Sequence, residues 1–263
     1  MSDASISTLT LSGLSGIMRN FLVRAVIFPL ETIKTHQQDA PISTKSYEVA
    51  LKLFKEGGCP GFYKGFSMVI LKTSVQQGLV WPVIACGPSI LDRYRIHPLA
   101  QQAVIGISIA SLSALITNPM EKIKVLSILQ KKNKLSLFRL YQNKEGWNGF
   151  GSHFGKLATN WTTFLVTQKY LRERAKKKNK TLTPAQLALI SAQVAFTVSV
   201  VSSPIDVANT LKMSRNVKLS EIFSRYNFRK MYRGWPLSMT SLLIQNMASV
   251  FLIDRLENRK MRA

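Results

Sequence analysis

The chain has 263 residues, with 36 Lys and Arg against 13 Asp and Glu, a formal net charge of +23, and a hydrophobic share of 46%. That pairing is awkward for a soluble domain and natural for a membrane protein with basic loops. The same charge would serve nucleic acid, but it is spread along the chain with no zinc-finger, RNA-binding or basic-zipper pattern, so no nucleic-acid partner is expected. Two cysteines, Cys59 and Cys86, form neither a disulfide framework nor a metal spacing. The first eleven residues are polar and show neither a secretory signal nor an Arg-rich presequence, so any targeting is expected to be internal.

Six apolar segments follow in order, at 12–38, 65–91, 99–129, 151–171, 184–213 and 234–256. Each has the ~20 residues that a helix needs to cross a bilayer. Polar residues recur inside them: Arg24, Lys72, Gln76, Gln77, Asn160, Gln168, Lys169, Gln193, Gln245 and Asn246. Such groups are costly against lipid, so they are expected to face a bundle interior or a wet cavity. The links after the first, third and fifth segments are long and basic (39–64, 131–150, 214–233), and those after the second and fourth are short. Six amphipathic helices of a soluble bundle are the alternative, against which the regular segment lengths weigh.

The odd segments share an ending. They read Pro29-Leu30-Glu31-Thr32-Ile33-Lys34, Pro119-Met120-Glu121-Lys122-Ile123-Lys124 and Pro204-Ile205-Asp206-Val207-Ala208-Asn209. Thirteen residues before each proline stand Gly16, Gly106 and Ser191, and four after those stand Asn20, Ala110 and Ala195. Small residues four apart let helices approach closely in lipid, and each helix is expected to bend near its proline. Later in each unit comes a Gly-aromatic-basic cluster: Glu56-Gly57 with Tyr63-Lys64-Gly65, then Glu145-Gly146-Trp147-Asn148-Gly149-Phe150, then Tyr232-Arg233-Gly234. Repetition at this period implies three supersecondary units, set at about 8–97, 98–180 and 181–263 within a single domain of 1–263.

These motifs resemble the mitochondrial carrier family over 11–256, whose signature is Pro-x-acid-x-x-base on the odd helices, then acid-Gly and aromatic-basic-Gly. The departures are Asn209 in place of a base, an extra residue between Glu56-Gly57 and Tyr63, and Gly151-Ser152-His153 where aromatic-basic-Gly is expected. The resemblance implies an all-α membrane protein with six transmembrane helices in three pseudo-repeats, each of two helices and a short matrix-side helix, around a central cavity. It implies the mitochondrial inner membrane, a monomer, anionic lipid such as cardiolipin as a partner, and neither cofactor nor metal. The short chain and worn motifs suit a divergent member, including one that a bacterial pathogen delivers to host mitochondria.

The family's matrix-side gate pairs the acid of one odd helix with the base of the next. Carried over by residue, that gives Glu31 with Lys124, Asp206 with Lys34, and Glu121 with Asn209, which is no ion pair. Gln38 resembles the glutamine that braces such pairs. A gate weakened by the missing pair is expected; the alternative is that these charges merely fix helix register. For the opposite gate, Glu173 with Lys176 has the spacing but follows Arg172 instead of an aromatic, Asp92 with Arg95 lies seven residues later than the repeat predicts, and Asp254 meets Glu257, so a weak or absent network is expected there.

Counting seven residues on from the glycine position of each repeat places the family's substrate contacts at Lys72, Asn160 and Ser241, with Trp161 after the second. Arg24 stands five before Pro29, and Gln76 and Gln77 lie a turn beyond Lys72. In the family's adenine-nucleotide exchangers, bases at the Arg24 and Lys72 positions bind phosphate, for which both side chains are suited. Trp161 either stacks on a base or simply packs. Asn209-Thr210-Leu211-Lys212-Met213 replaces the arginine triplet of the ADP/ATP exchanger, so this is not an ordinary one. The expected function is transport of an anionic metabolite, first an adenine nucleotide (ATP/ADP), by alternating access through a basic cavity. A smaller anion (phosphate, sulfate or a carboxylate) and a non-transporting membrane adaptor are the alternatives, and unpaired charges at Arg24 and Lys72 weigh against the adaptor. No enzyme is expected: His36, His97 and His153 are scattered, and neither a nucleophile arrangement nor a Gly-rich phosphate loop occurs.

Overall fold

The computed structural model describes residues 3–41, 44–94, 96–129, 141–178, 182–225 and 227–260. Six long helices carry the fold: α1 (Asp3–Asp39), α3 (Phe66–Leu91), α4 (Pro98–Ile128), α6 (Phe150–Lys178), α7 (Pro184–Arg215) and α10 (Trp235–Lys260). Shorter ones lie between them: α2 (Ser46–Gly61), α5 (Lys144–Trp147), α8 (Leu219–Arg225) and α9 (Phe228–Met231). The order thus runs long, short, long three times, and the described residues contain no strand. The helices match the apolar segments closely, with α1 starting earlier than expected and α6 running on to Lys178.

Each second long helix begins after a left-handed glycine: Gly65 (φ +86°), Gly149 (φ +100°) and Gly234 (φ +78°). Only glycine adopts that backbone without strain, so these residues fix where α3, α6 and α10 start. Pro29, Pro119 and Pro204 lie inside α1, α4 and α7, which continue through them. Each proline removes one backbone hydrogen bond from its helix.

The long helices pack in chain order around a ring: α1 on α3, α3 on α4, α4 on α6, α6 on α7, α7 on α10, and α10 back on α1. The three proline-bearing helices α1, α4 and α7 also touch one another. The small-residue face of α4 meets α6, where Ala110 and Ala114 pack on Leu157. A methyl group at Gly106 would come within 2.8 Å of the Thr162 backbone, so α4 and α6 approach more closely there than any side chain allows.

The distribution of polarity is inverted relative to a soluble bundle. Leu22, Val26, Leu115, Leu189 and Phe196 are at least half exposed, whereas Thr117, Asn118, Glu121 and Asn209 are at most 1% exposed. Apolar groups outside and polar groups inside are what a lipid surround selects. Among the described residues, two of the long helices, Pro98–Ile128 and Pro184–Arg215, are long and apolar enough to cross a membrane. In α6, Lys156, Lys169, Arg172 and Arg174 lower the hydropathy.

Candidate functional site

The acids of the three Pro-x-acid motifs converge where α1, α4 and α7 meet, and each holds two cations. Glu31 takes Arg24 from its own helix at 2.7 Å and Lys124 from α4 at 3.1 Å. Glu121 takes Lys72 from α3 at 2.5 Å and Lys156 from α6 at 3.0 Å. Asp206 pairs with Lys34 of α1 and, at 2.8 Å, with the same Lys156. The network is two neighbouring clusters, Glu31 with Arg24 and Lys124, and Glu121 and Asp206 joined through Lys156 and held by Lys72 and Lys34, in all five cations and three carboxylates. Glu121 and Asp206 are the most deeply buried of its acids, with side-chain exposures of 1% and 7%. Taking such groups from water is costly, and close partners on both oxygens offset that cost.

Gln38 braces the network from α1. Its amide donates to Asp206 Oδ2 and to the Arg233 carbonyl, both at 3.4 Å, and its Oε1 accepts from Thr210 at 2.7 Å. Arg233 in turn donates to the carbonyls of Ala40 and Thr44, which ties the end of α1 to the start of α10. Asn209 is fully buried and bears no charge; its side-chain oxygen accepts from Ser152 of α6 at 3.1 Å. Glu121 and Asn209 are thus not partners, and α6 has come between them.

Two sequence expectations change here. Arg24 and Lys72 are not unpaired: Glu31 and Glu121 hold them. The argument that unpaired charges exclude a scaffold therefore falls, and the excess of two cations across the network stands in its place. The register of the second repeat also shifts. The left-handed glycine before α6 is Gly149, not position 153, so seven residues on lies Lys156 rather than Asn160. Lys72, Lys156 and Ser241 are then the equivalent positions of α3, α6 and α10. Lys72 and Lys156 grip the two oxygens of one carboxylate, as equivalent positions at one depth would.

Lys156 was missed for a specific reason. The second cluster lost its base, reading Trp147-Asn148-Gly149 where the others read Tyr63-Lys64-Gly65 and Tyr232-Arg233-Gly234. Aligning on Gly149 would have found it. Asn160 lies a turn beyond, with its Oδ1 buried and without a hydrogen-bond partner among the described residues. Trp161 packs against the Ile105–Ile109 and Ala110–Leu157 clusters and meets Phe164 edge-on at 6.1 Å. Ser241 is buried and donates to the Leu237 carbonyl at 2.9 Å, while Gln76 is half-buried.

On the far side of the bundle, Glu173 pairs with Lys169 at 3.2 Å on its own helix instead of with Lys176. Asp92 accepts from Gln101 at 2.9 Å. Arg95 and the side chains of Asp254 and Glu257 lie outside the described residues, as does the Cys86 side chain. The three histidines do local structural work: His36 bonds the Ile128 carbonyl, His97 accepts from the Leu99 amide, and His153 bonds Thr117.

A family model for mitochondrial carrier protein matches residues 6–88. A mitochondrial carrier-like protein of Acanthamoeba polyphaga mimivirus is 23% identical over 243 residues, covering 90% of this chain and 92% of its own. The chain is thus similar, at low identity, to mitochondrial carrier proteins over most of its length. Two Arabidopsis thaliana proteins are also similar to it. One, a probable mitochondrial adenine nucleotide transporter, is 20% identical over 88% of the chain and 78% of its own length. The other, a chloroplastic mitoferrin-like protein, is 25% identical over 62% of the chain and 43% of its own length.

Proposed function

We propose that this carrier moves an anionic metabolite, in the first place an adenine nucleotide, by alternating access across the mitochondrial inner membrane. The six long helices are its spans, arranged as three repeats near 8–97, 98–180 and 181–263, and the ion-pair network is its matrix-side closure. The observation that carries this reading is the imbalance of five cations on three carboxylates in a buried network. Self-contained structural ion pairs need no excess. A surplus of positive charge facing a common interior raises the local concentration of anions and leaves donors for them.

Lys72, Lys156 and Arg24 are the contacts for the substrate's charged groups, with Gln76 and Ser241 beside them. A phosphate chain arriving at these ammonium and guanidinium groups competes with Glu31 and Glu121. Two charges 4 Å apart attract by about 4 kcal/mol at an effective dielectric near 20, so a polyanion can displace a carboxylate without a large net energy change. Opening then follows because the substrate favours the state in which these pairs are apart. The adenine-nucleotide preference takes its support from the phosphate-suited donors and from the related Arabidopsis protein's description.

Purified protein in liposomes provides the test. Uptake of labelled ATP is expected, with unlabelled ATP and ADP competing better than phosphate, sulfate or dicarboxylates. Lys72→Ala and Arg24→Ala are each expected to abolish it. Intact phosphate or dicarboxylate uptake without ATP uptake would reject the nucleotide, and normal transport by both variants would reject the site.

A further inference from the structure

We propose that Lys156 is the third base of the closure, supplying from α6 the cation that Asn209 of α7 lacks, and that the same ammonium passes to the substrate when that side opens. This inference rests on the transport reading above.

Closure of three converging helices needs three links between them. Glu31 with Lys124 joins α1 to α4, and Lys34 with Asp206 joins α1 to α7. On the remaining edge, α4 to α7, the family's pairing would set Glu121 against position 209, which is asparagine and carries no charge. Lys156 spans that edge: its ammonium lies 3.0 Å from Glu121 of α4 and 2.8 Å from Asp206 of α7. Ser152, one turn earlier on α6, donates to the side-chain oxygen of Asn209 at 3.1 Å, while the Asn209 amide nitrogen has no partner among the described residues. One face of α6 thus occupies the missing polar partner and delivers the missing charge. The expectation of a gate weakened by Asn209 is replaced by a gate of three edges, one of them routed through a neighbouring helix.

The routing has a mechanistic consequence. Lys156 sits at the position of α6 equivalent to Lys72 of α3, on the register set by Gly149 and Gly65. An ammonium has three donors but one unit of charge. It cannot compensate Glu121, Asp206 and a substrate anion together. An arriving anion therefore withdraws the cation that links α4 to α7, and binding and unlatching become one event.

Lys156→Met tests this. Glu121 keeps Lys72 and Asp206 keeps Lys34 in that variant, so no buried carboxylate is left alone and the protein is expected to fold. The readouts are chloride conductance across bilayers without substrate, which reports failed closure, and apparent KM for exchange, which reports substrate contact. Lys156→Met is expected to raise both by about tenfold, the size of an ordinary coupling between sites. Adding Asn209→Lys restores a direct α4–α7 pair and is expected to return conductance to within about twofold of the parent while KM stays high. Wild-type conductance in Lys156→Met overturns the proposal, as does a double variant in which conductance and KM recover together or not at all. If Lys156→Met cannot be recovered folded, Lys156→Gln is read the same way. Absence of exchange by the wild-type protein would instead remove the transport reading, so the two failures are told apart on the same vesicles.

Discussion

Glu121→Gln is the most revealing single change for the energetics of the network. The Glu121 side chain is 1% exposed and holds Lys72 at 2.5 Å and Lys156 at 3.0 Å. Neutralising it does not burden its partners equally. Lys156 retains Asp206 at 2.8 Å, whereas Lys72, 8% exposed, has no second carboxylate among the described residues. The cost falls on a buried, uncompensated ammonium. Removing one partner of such a pair costs about 3–5 kcal/mol. For a chain of this size that corresponds to a fall in Tm on the order of 10 °C. The assay is scanning fluorimetry in detergent on the four tryptophans. If the cost sits on Lys72, Glu121→Gln with Lys72→Met should be more stable than Glu121→Gln alone, regaining roughly half the loss, because the stranded charge has gone. A Glu121→Gln protein that melts within about 2 °C of wild type, or a double variant no more stable than the single, would refute the assignment.

Three other outcomes are expected. Gly106→Ala should lose about 1–3 kcal/mol, since its methyl meets Thr162 backbone that cannot move aside, while Gly151→Ala, with nothing within 4 Å, should be neutral or better in the same melt. Asn160→Leu should leave ATP uptake within about threefold of wild type and cost no stability, because it removes a buried oxygen that lacks a partner. Loss of uptake there would restore Asn160 as a contact. The expected weak latch on the opposite side, where Glu173 is engaged by Lys169 along its own helix, predicts uptake into unloaded vesicles at a rate comparable to exchange. Flux that depends equally on internal and external substrate would contradict that.

The fold was legible because its signals are physical and repeated. A proline followed by an acid inside an apolar segment has few uses, and three in phase imply helices whose charged ends meet. The resemblance to the carrier family then implied which ends pair, Glu31 with Lys124 and Lys34 with Asp206. What escaped was chemistry set by side-chain reach. A lysine extends over several ångströms, so Lys72 and Lys156 can sit on α3 and α6 and still grip an acid on α4. No period in the sequence encodes that. The offset of one helical turn between Asn160 and Lys156 has a different origin. The turn before α6 is marked by backbone conformation at Gly149, while the eye follows the missing aromatic and base at 151–153. A positive φ is a stronger register mark than a side-chain motif, because the strain it avoids cannot be relocated.

The asymmetry of the third repeat can now be given a physical sense. Were a lysine at position 209, Glu121 could pair across the α4–α7 edge directly, and Lys156 would be left with Asp206 and its surplus charge. Closure and substrate contact would then be separate groups, coupled only through helix movement. With Asn209 in place, the two roles fall on one ammonium held 3.0 Å and 2.8 Å from two carboxylates on different helices. A shared group makes coupling direct, because the charge compensation it gives to an anion is taken from the latch. It also makes the latch sensitive to charge. A neutral solute cannot withdraw Lys156, and a monoanion does so less completely than a polyanion that also engages Lys72 and Arg24. Discrimination by charge would then arise at the opening step rather than at initial binding, and among anions it should appear in kcat more than in KM.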